Sequence, residues 1–170
     1  MPVDSREGFA CVIADSPTPS PAPAGDLEGA ILSAARSLPL PRLQIQTEPA
    51  DETLVNIETN LFTEPRTFNR TLNLLGANVQ LTARPLNYTW HPGDGTTFTT
   101  PRPGGRYPDL DVTHRYRRPA DAVSPRVDVT YRIRYRVDGG AWTTLDETIT
   151  APGPANSLRV AEARPVITGD

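Results

Sequence analysis

Lysine is absent from this 170-residue chain, and all 17 basic residues are arginine. By itself that bias carries no functional weight. Cysteine is almost absent too. Cys11 stands alone, so no internal disulfide can form and the fold must rest on its core. One cysteine also leaves the cellular compartment open. No run of about 18 apolar residues occurs, so a membrane-spanning helix is not expected. Charge of one sign is lacking as well: the net value of −3 argues against a chain built to neutralise nucleic-acid phosphates. With two histidines and one cysteine, the chain is poor in zinc ligands. There is no Gly-x-Ser-x-Gly elbow and no glycine loop leading into a helix to cradle phosphate.

Proline is abundant, with 19 residues, while apolar residues make up only 37%. Together these point to a disordered stretch diluting an ordinary domain. Residues 16–24 alternate proline with Ser, Thr and Ala, the composition of an extended linker. Residues 1–7 lack the charged and apolar regions of a secretion signal. Residues 9–14 are apolar but number only six. They read as an unstructured leader; the alternatives are the remnant of an export signal and a lipid-attachment site at Cys11. Residues 1–25 are therefore expected to be a disordered leader and linker.

Residues 26–42 are expected to form a short helix and connector. Asp26 suits an N-cap, Leu27, Ala30, Ile31, Ala34 and Leu38 recur at helical spacing, and Pro39 ends the run. From residue 43 the period changes to two. Short strands are expected at residues 43–46, 54–57, 66–75, 79–90 and 142–150, with a last one within 157–163 and a tail at 166–170. Gly76-Ala77-Asn78 reads as a turn, and Pro85 as an edge position or a bend. The clearest strand runs over residues 126–137. Six apolar residues, Val127 to Val137, alternate there with Arg126, Asp128, Thr130, Arg132, Arg134 and Arg136. A slip of one residue would bury four arginines, which fixes the register. Asp138-Gly139-Gly140 is hairpin chemistry. The predicted class is all-β: an antiparallel, Ig-like β-sandwich of seven or eight strands over residues 43–165, with one short helix.

Trp90-His91-Pro92-Gly93-Asp94-Gly95 ends one strand with an aromatic ring and a glycine-rich reversal. Gly93 and Gly95 permit the turn, and Asp94 can accept its backbone N–H groups. Thr113-His114-Arg115-Tyr116 follows, with His114 and Tyr116 on one face of a strand. These two elements resemble the signature of polycystic-kidney-disease (PKD) domains, in which a Trp-Asp-Phe-Gly-Asp-Gly strand end precedes a His-x-Tyr strand. His91-Pro92 replaces the usual Asp-Phe, and residues 99–110 make a longer insert than a plain hairpin loop. Taken whole, with its arginine bias, the chain resembles PKD-like proteins of G+C-rich Gram-positive bacteria. The resemblance implies a non-catalytic Ig-like module, extracellular or in the cell envelope, that contacts proteins or carbohydrates. A structural subunit of an envelope assembly such as a pilus is the alternative, a hydrolase a lesser one, and a cytoplasmic location stays open.

Trp90, Gly93, Asp94, Gly95, His114 and Tyr116 are thus expected to determine the fold, as is His91. No catalytic residue, metal or cofactor is expected. Asp94, Asp109 and Asp111 are the acids to weigh for calcium, without a binding-loop spacing. Asn69 and Asn87 head glycosylation sequons on strands, which reads as coincidence. The candidate binding face is Arg132, Arg134 and Arg136, with Arg115, Arg117 and Arg118 as candidates to join it in space; its expected partner is an acidic protein or an anionic envelope polysaccharide. The plainer expectation is a solvated face balanced by Asp128, Glu147 and other acids.

Overall fold

A computed structural model describes residues 24–163. The leader, Cys11, most of the proline-rich run and the C-terminal tail lie outside the described residues. The described part of helix α1 is Ala24–Arg36, and Asp26 sits in its first turn, where its charge favours the helix N-terminus, rather than at the N-cap. Ile31 and Ala35 are fully buried, and Leu27, Leu32 and Leu38 pack beside them. Among the described residues no helix is long and apolar enough to cross a membrane.

Eleven strands follow: β1 Gln46–Glu48, β2 Glu52–Leu54, β3 Glu58–Phe62, β4 Phe68–Leu74, β5 Ala77–His91, β6 Phe98–Thr100, β7 Thr113–Arg115, β8 Ala120–Val123, β9 Arg126–Val137, β10 Thr143–Pro152 and β11 Leu158–Ala161. The fold is all-β and sandwich-like, with more strands than the seven or eight expected. One five-stranded sheet has the order β10-β9-β5-β4, with β6 following β4 along the same side of β5. Two three-stranded sheets, β1-β3-β7 and β2-β11-β8, complete the domain. All pairings are antiparallel except β11 with β2.

The inner face of the large sheet supplies Val79, Leu81, Ala83, Tyr88 and Trp90 from β5, and Val127, Val129, Tyr131 and Ile133 from β9. They share one core with α1, Leu43, Ile45, Leu61 and Val112. Tyr116, Val123, Leu158 and Val160 make a second, smaller cluster. Pro85 does mark an irregularity. It lies opposite Tyr131 while Asn87 lies opposite Thr130, so Leu86 is an extra residue. That bulge switches the inward set from odd to even numbers, and so both halves of β5 face the core.

Three expectations are corrected. Of the strand expected at residues 43–46 only Gln46 is one, the start of β1. Residues 54–57 are not a strand: β2 ends at Leu54, Asn56 has φ of 64°, and Ile57 is exposed. The hairpin turn after β4 is Leu75-Gly76, both at positive φ, and Ala77 already pairs with Leu74.

Helix α1 also yields a prediction. Gly29 is exposed, and a β-carbon there would meet nothing within 4 Å. Gly29→Ala should therefore raise stability by about 0.5–1 kcal/mol, because alanine loses less backbone freedom in a helix. Urea denaturation checks it: an unchanged or lower midpoint would contradict the helix placement.

Candidate functional site

Two regions gather the residues singled out by the sequence. The first is the end of the sandwich at the Trp90–Gly95 turn. Trp90 is fully buried, its Nε1 donates to Thr100 Oγ1 at 2.8 Å, and Thr100 Oγ1 donates to Arg102 O at 2.7 Å. Gly93 and Gly95 both have φ of 92°. A β-carbon on Gly93 would lie 2.6 Å from Ser124 N, so this glycine is required twice over. Asp94 Oδ1 accepts from Thr96 N at 3.1 Å and Thr96 Oγ1 at 2.6 Å, while Asp94 Oδ2 is 2.7 Å from His114 Nε2. Burial pushes the Asp94 carboxyl up, but the hydrogen bonds from Thr96 and His114 outweigh it and hold the group below its ordinary range. The His114 ring meets Tyr116 edge-on at 4.7 Å and stacks on Phe98 at 6.3 Å. Tyr116 Oη donates to Pro92 O at 2.9 Å, and burial, aided by the Asp94 charge, raises its phenol. Asp94, His114 and Tyr116 therefore meet in one network that ties β7 to the Gly93–Gly95 turn, while Trp90 is held separately through Thr100.

His91 joins a neighbouring network. Its Nδ1 is 3.2 Å from Thr97 Oγ1, and its Nε2 is 2.9 Å from Asp128 Oδ2. Asp128 Oδ1 also accepts from Arg126 and, at 3.3 Å, from Gly153 N. The carboxylate thereby joins β5, β9 and the residue that follows β10. Beside the turn an open groove of about 860 Å³ runs between β7 and β8, lined in part by Asp94, His114, Arg117 and Arg118. The acids weighed for calcium do not converge. Asp94 is held as described, and Asp111 faces Arg102 at 3.2 Å. No group of three or more His, Cys, Asp or Glu side chains suited to a metal occurs among the described residues.

The second region is the outer face of the five-stranded sheet. Strand register sets its side chains in rows across the strands. Thr71, Gln80 and Arg136 form one row. Asn69, Thr82, Arg134 and Thr144 form the next. Arg84, Arg132 and Thr148 form the third. Successive rows lie about 6.5–7 Å apart, two residues along a strand. Arg132, Arg134 and Arg136 do share this face, as the sequence predicts. Arg115, Arg117 and Arg118 do not join them. Arg115 belongs to β7 in another sheet, where it pairs with Glu58 at 3.2 Å, and the other two line the groove.

The expected balancing acids are also engaged elsewhere. Asp128 serves the His91 network. Glu147 falls in a two-residue bulge of β10 and forms a bidentate pair with Arg36 of α1, at 3.0 and 2.6 Å. In their place the face contains two residues that sequence reasoning missed. Arg84 lies directly opposite Arg132. Trp142, 39% exposed, lies under the guanidinium groups of Arg136 at 4.9 Å and Arg134 at 5.8 Å. Arg136 Nε also donates to Gln80 Oε1 at 2.6 Å. The even-numbered, polar side of β5 held the signal for Arg84, but only the register brings it to Arg132. Among the described residues, Arg84, Arg132, Arg134 and Arg136 form no ion pair with a carboxylate. No protein-family model, curated protein or solved structure matches the chain.

Proposed function

We propose that this chain is a non-catalytic interaction module that docks an anionic partner on the outer face of its five-stranded sheet. The resemblance to PKD domains supports the module reading and an extracellular or cell-envelope setting. One observation carries the choice of surface. Arg84 and Arg132 are direct cross-strand neighbours with no carboxylate on either among the described residues. Like charges in that position repel and destabilise a sheet. An incoming anion removes the repulsion, so the pair favours binding at the expense of the free domain. Arg134 and Arg136 extend the same positive field along β9.

The test uses immobilised poly-L-glutamate and immobilised polygalacturonate. The wild-type domain should be retained on at least one of them at low salt and released as salt rises. Arg84→Ala with Arg132→Ala should weaken retention about tenfold, the worth of one charge-assisted hydrogen bond. Equal retention of the double variant would move the binding surface elsewhere. Hydrolysis of p-nitrophenyl acetate by the wild type, lost in His91→Ala, would instead favour a hydrolase built on Thr97, His91 and Asp128.

A further inference from the structure

We infer that the anionic partner is a carboxylated polysaccharide, a chain of uronic-acid-type sugars lying along β9 over Trp142. The inference rests on the docking face just proposed and names its ligand class. An indole offers an apolar plane with a polar edge, which suits the C–H face of a pyranose ring. Trp142 keeps 39% of its surface exposed at the end of the arginine row, beside the two guanidinium groups over its ring and outside the core. It also fixes the nearby charges. Arg136 is held from two sides, by the indole and by Gln80, and Arg134 leans over the same ring. A guanidinium held this way meets a carboxylate bidentately with little ordering left to lose.

The groups between the arginines match sugars better than peptides or phosphates. Asn69, Thr71 and Thr144, all exposed, put amide and hydroxyl groups in the rows, which pair with ring hydroxyls. A shallow cleft of about 300 Å³ beside Trp142 is lined by Asn69, Thr71 and Gln80. The third row, Arg84, Arg132 and Thr148, is exposed, as a linear polymer requires, and arginines recur at every second residue of β9, their Cα atoms about 6.5–7 Å apart. No carboxylate stands in these three rows.

An oligomer of galacturonic acid tests the inference by titration calorimetry and tryptophan fluorescence. Trp90 is buried and hydrogen-bonded, so a fluorescence change reports Trp142. The oligouronate should bind, and the neutral oligogalactose of equal length should not. Trp142→Ala should weaken oligouronate binding about tenfold, the loss of one stacking contact. Oligoglutamate binding should fall less, because it loses only the positioning of Arg134 and Arg136 and not the stacking contact. Circular dichroism of the variant should match the wild type, because Trp142 lies outside the core. If oligoglutamate or polyphosphate binds at least as tightly as the oligouronate, and Trp142→Ala changes nothing, the polysaccharide assignment fails while the anion-docking face stands. If no anion binds, both fall.

Discussion

Trp90→Ala should lower the stability of this domain by about 3–5 kcal/mol, the range for deleting a large aromatic side chain from a packed core. Trp90 has no exposed surface and sits near the end of the inner face of β5, beside Val127 on the neighbouring strand. Its ring stacks on Tyr88 at 6.2 Å, and its indole N–H is satisfied by Thr100 across the β5–β6 pair. Removal leaves a cavity and orphans part of the Thr100 contact, which in turn holds Arg102 O. Domains of this kind have only about 5–15 kcal/mol in total, so the variant should be largely unfolded under mild denaturant. Trp90→Phe fills most of the space and loses only the hydrogen bond. It should cost less than half as much, with an unchanged urea slope. A Trp90→Ala midpoint close to the wild type would contradict this account of the core.

The same strand shows what a sequence can and cannot reveal. Apolar residues at 79, 81 and 83 and at 88 and 90 are all visible as a period of two. The change from odd to even numbers between them is visible as well, and it signals one inserted residue. That Leu86 is the insert is a property of the pairing with β9, where Pro85 and Asn87 flank it. Strand β9 was legible end to end because a single strand alternates there for 12 residues. Strands β3 and β8 were not, for two different reasons. Thr59, Asn60, Leu61 and Phe62 are buried in succession, so β3 has no alternation to read. Only Val123 is buried in the four residues of β8, which is too short a signal.

The candidate sites divide in the same way. The turn signature was legible because its residues bond mostly within 24 positions of one another: Asp94 with Thr96 and His114, Tyr116 with Pro92. The docking face was legible only on β9. Arg84 comes from β5 and Trp142 from the residue before β10, and register alone unites them. Of the acids expected to balance the arginine stripe, Asp128 bonds His91, and Glu147 leaves the rows through a local detail. Two extra residues between Thr144 and Thr148 carry Glu147 out of the ladder, toward Arg36. Charges that look balanced in composition are thus separated in space, with the acids at the helix and the turn and the guanidinium groups on the open sheet.

Gly153→Ala should be the most damaging addition of a single methyl group outside the left-handed turns, costing roughly 1–3 kcal/mol or more, as insertion into packed structure does. Gly153 follows β10 and is buried. Its N–H donates to Val127 O at 3.0 Å, and Arg42 Nε donates to the preceding carbonyl, Pro152 O, at 2.7 Å. The connector from α1 and the start of β9 therefore close on this residue from two sides. A β-carbon would lie 2.2 Å from Val127 O and 2.4 Å from Leu43 O. Both are backbone atoms, so no side-chain rotation relieves the contact. Either the connector must lift, exposing Leu43 and Ile45, or β10 must part from β9 at Pro152 and Asp128. The second route also loosens the Gly153 contact to Asp128, and with it the clamp on His91. Hydrogen exchange separates the two outcomes, since the first opens the amides near Leu43 and the second those at the β9–β10 end. Gly29→Ala adds the same methyl group where nothing lies within 4 Å and should stabilise the domain. Equal melting midpoints for these two variants would show that the close approach at Gly153 does not constrain the fold.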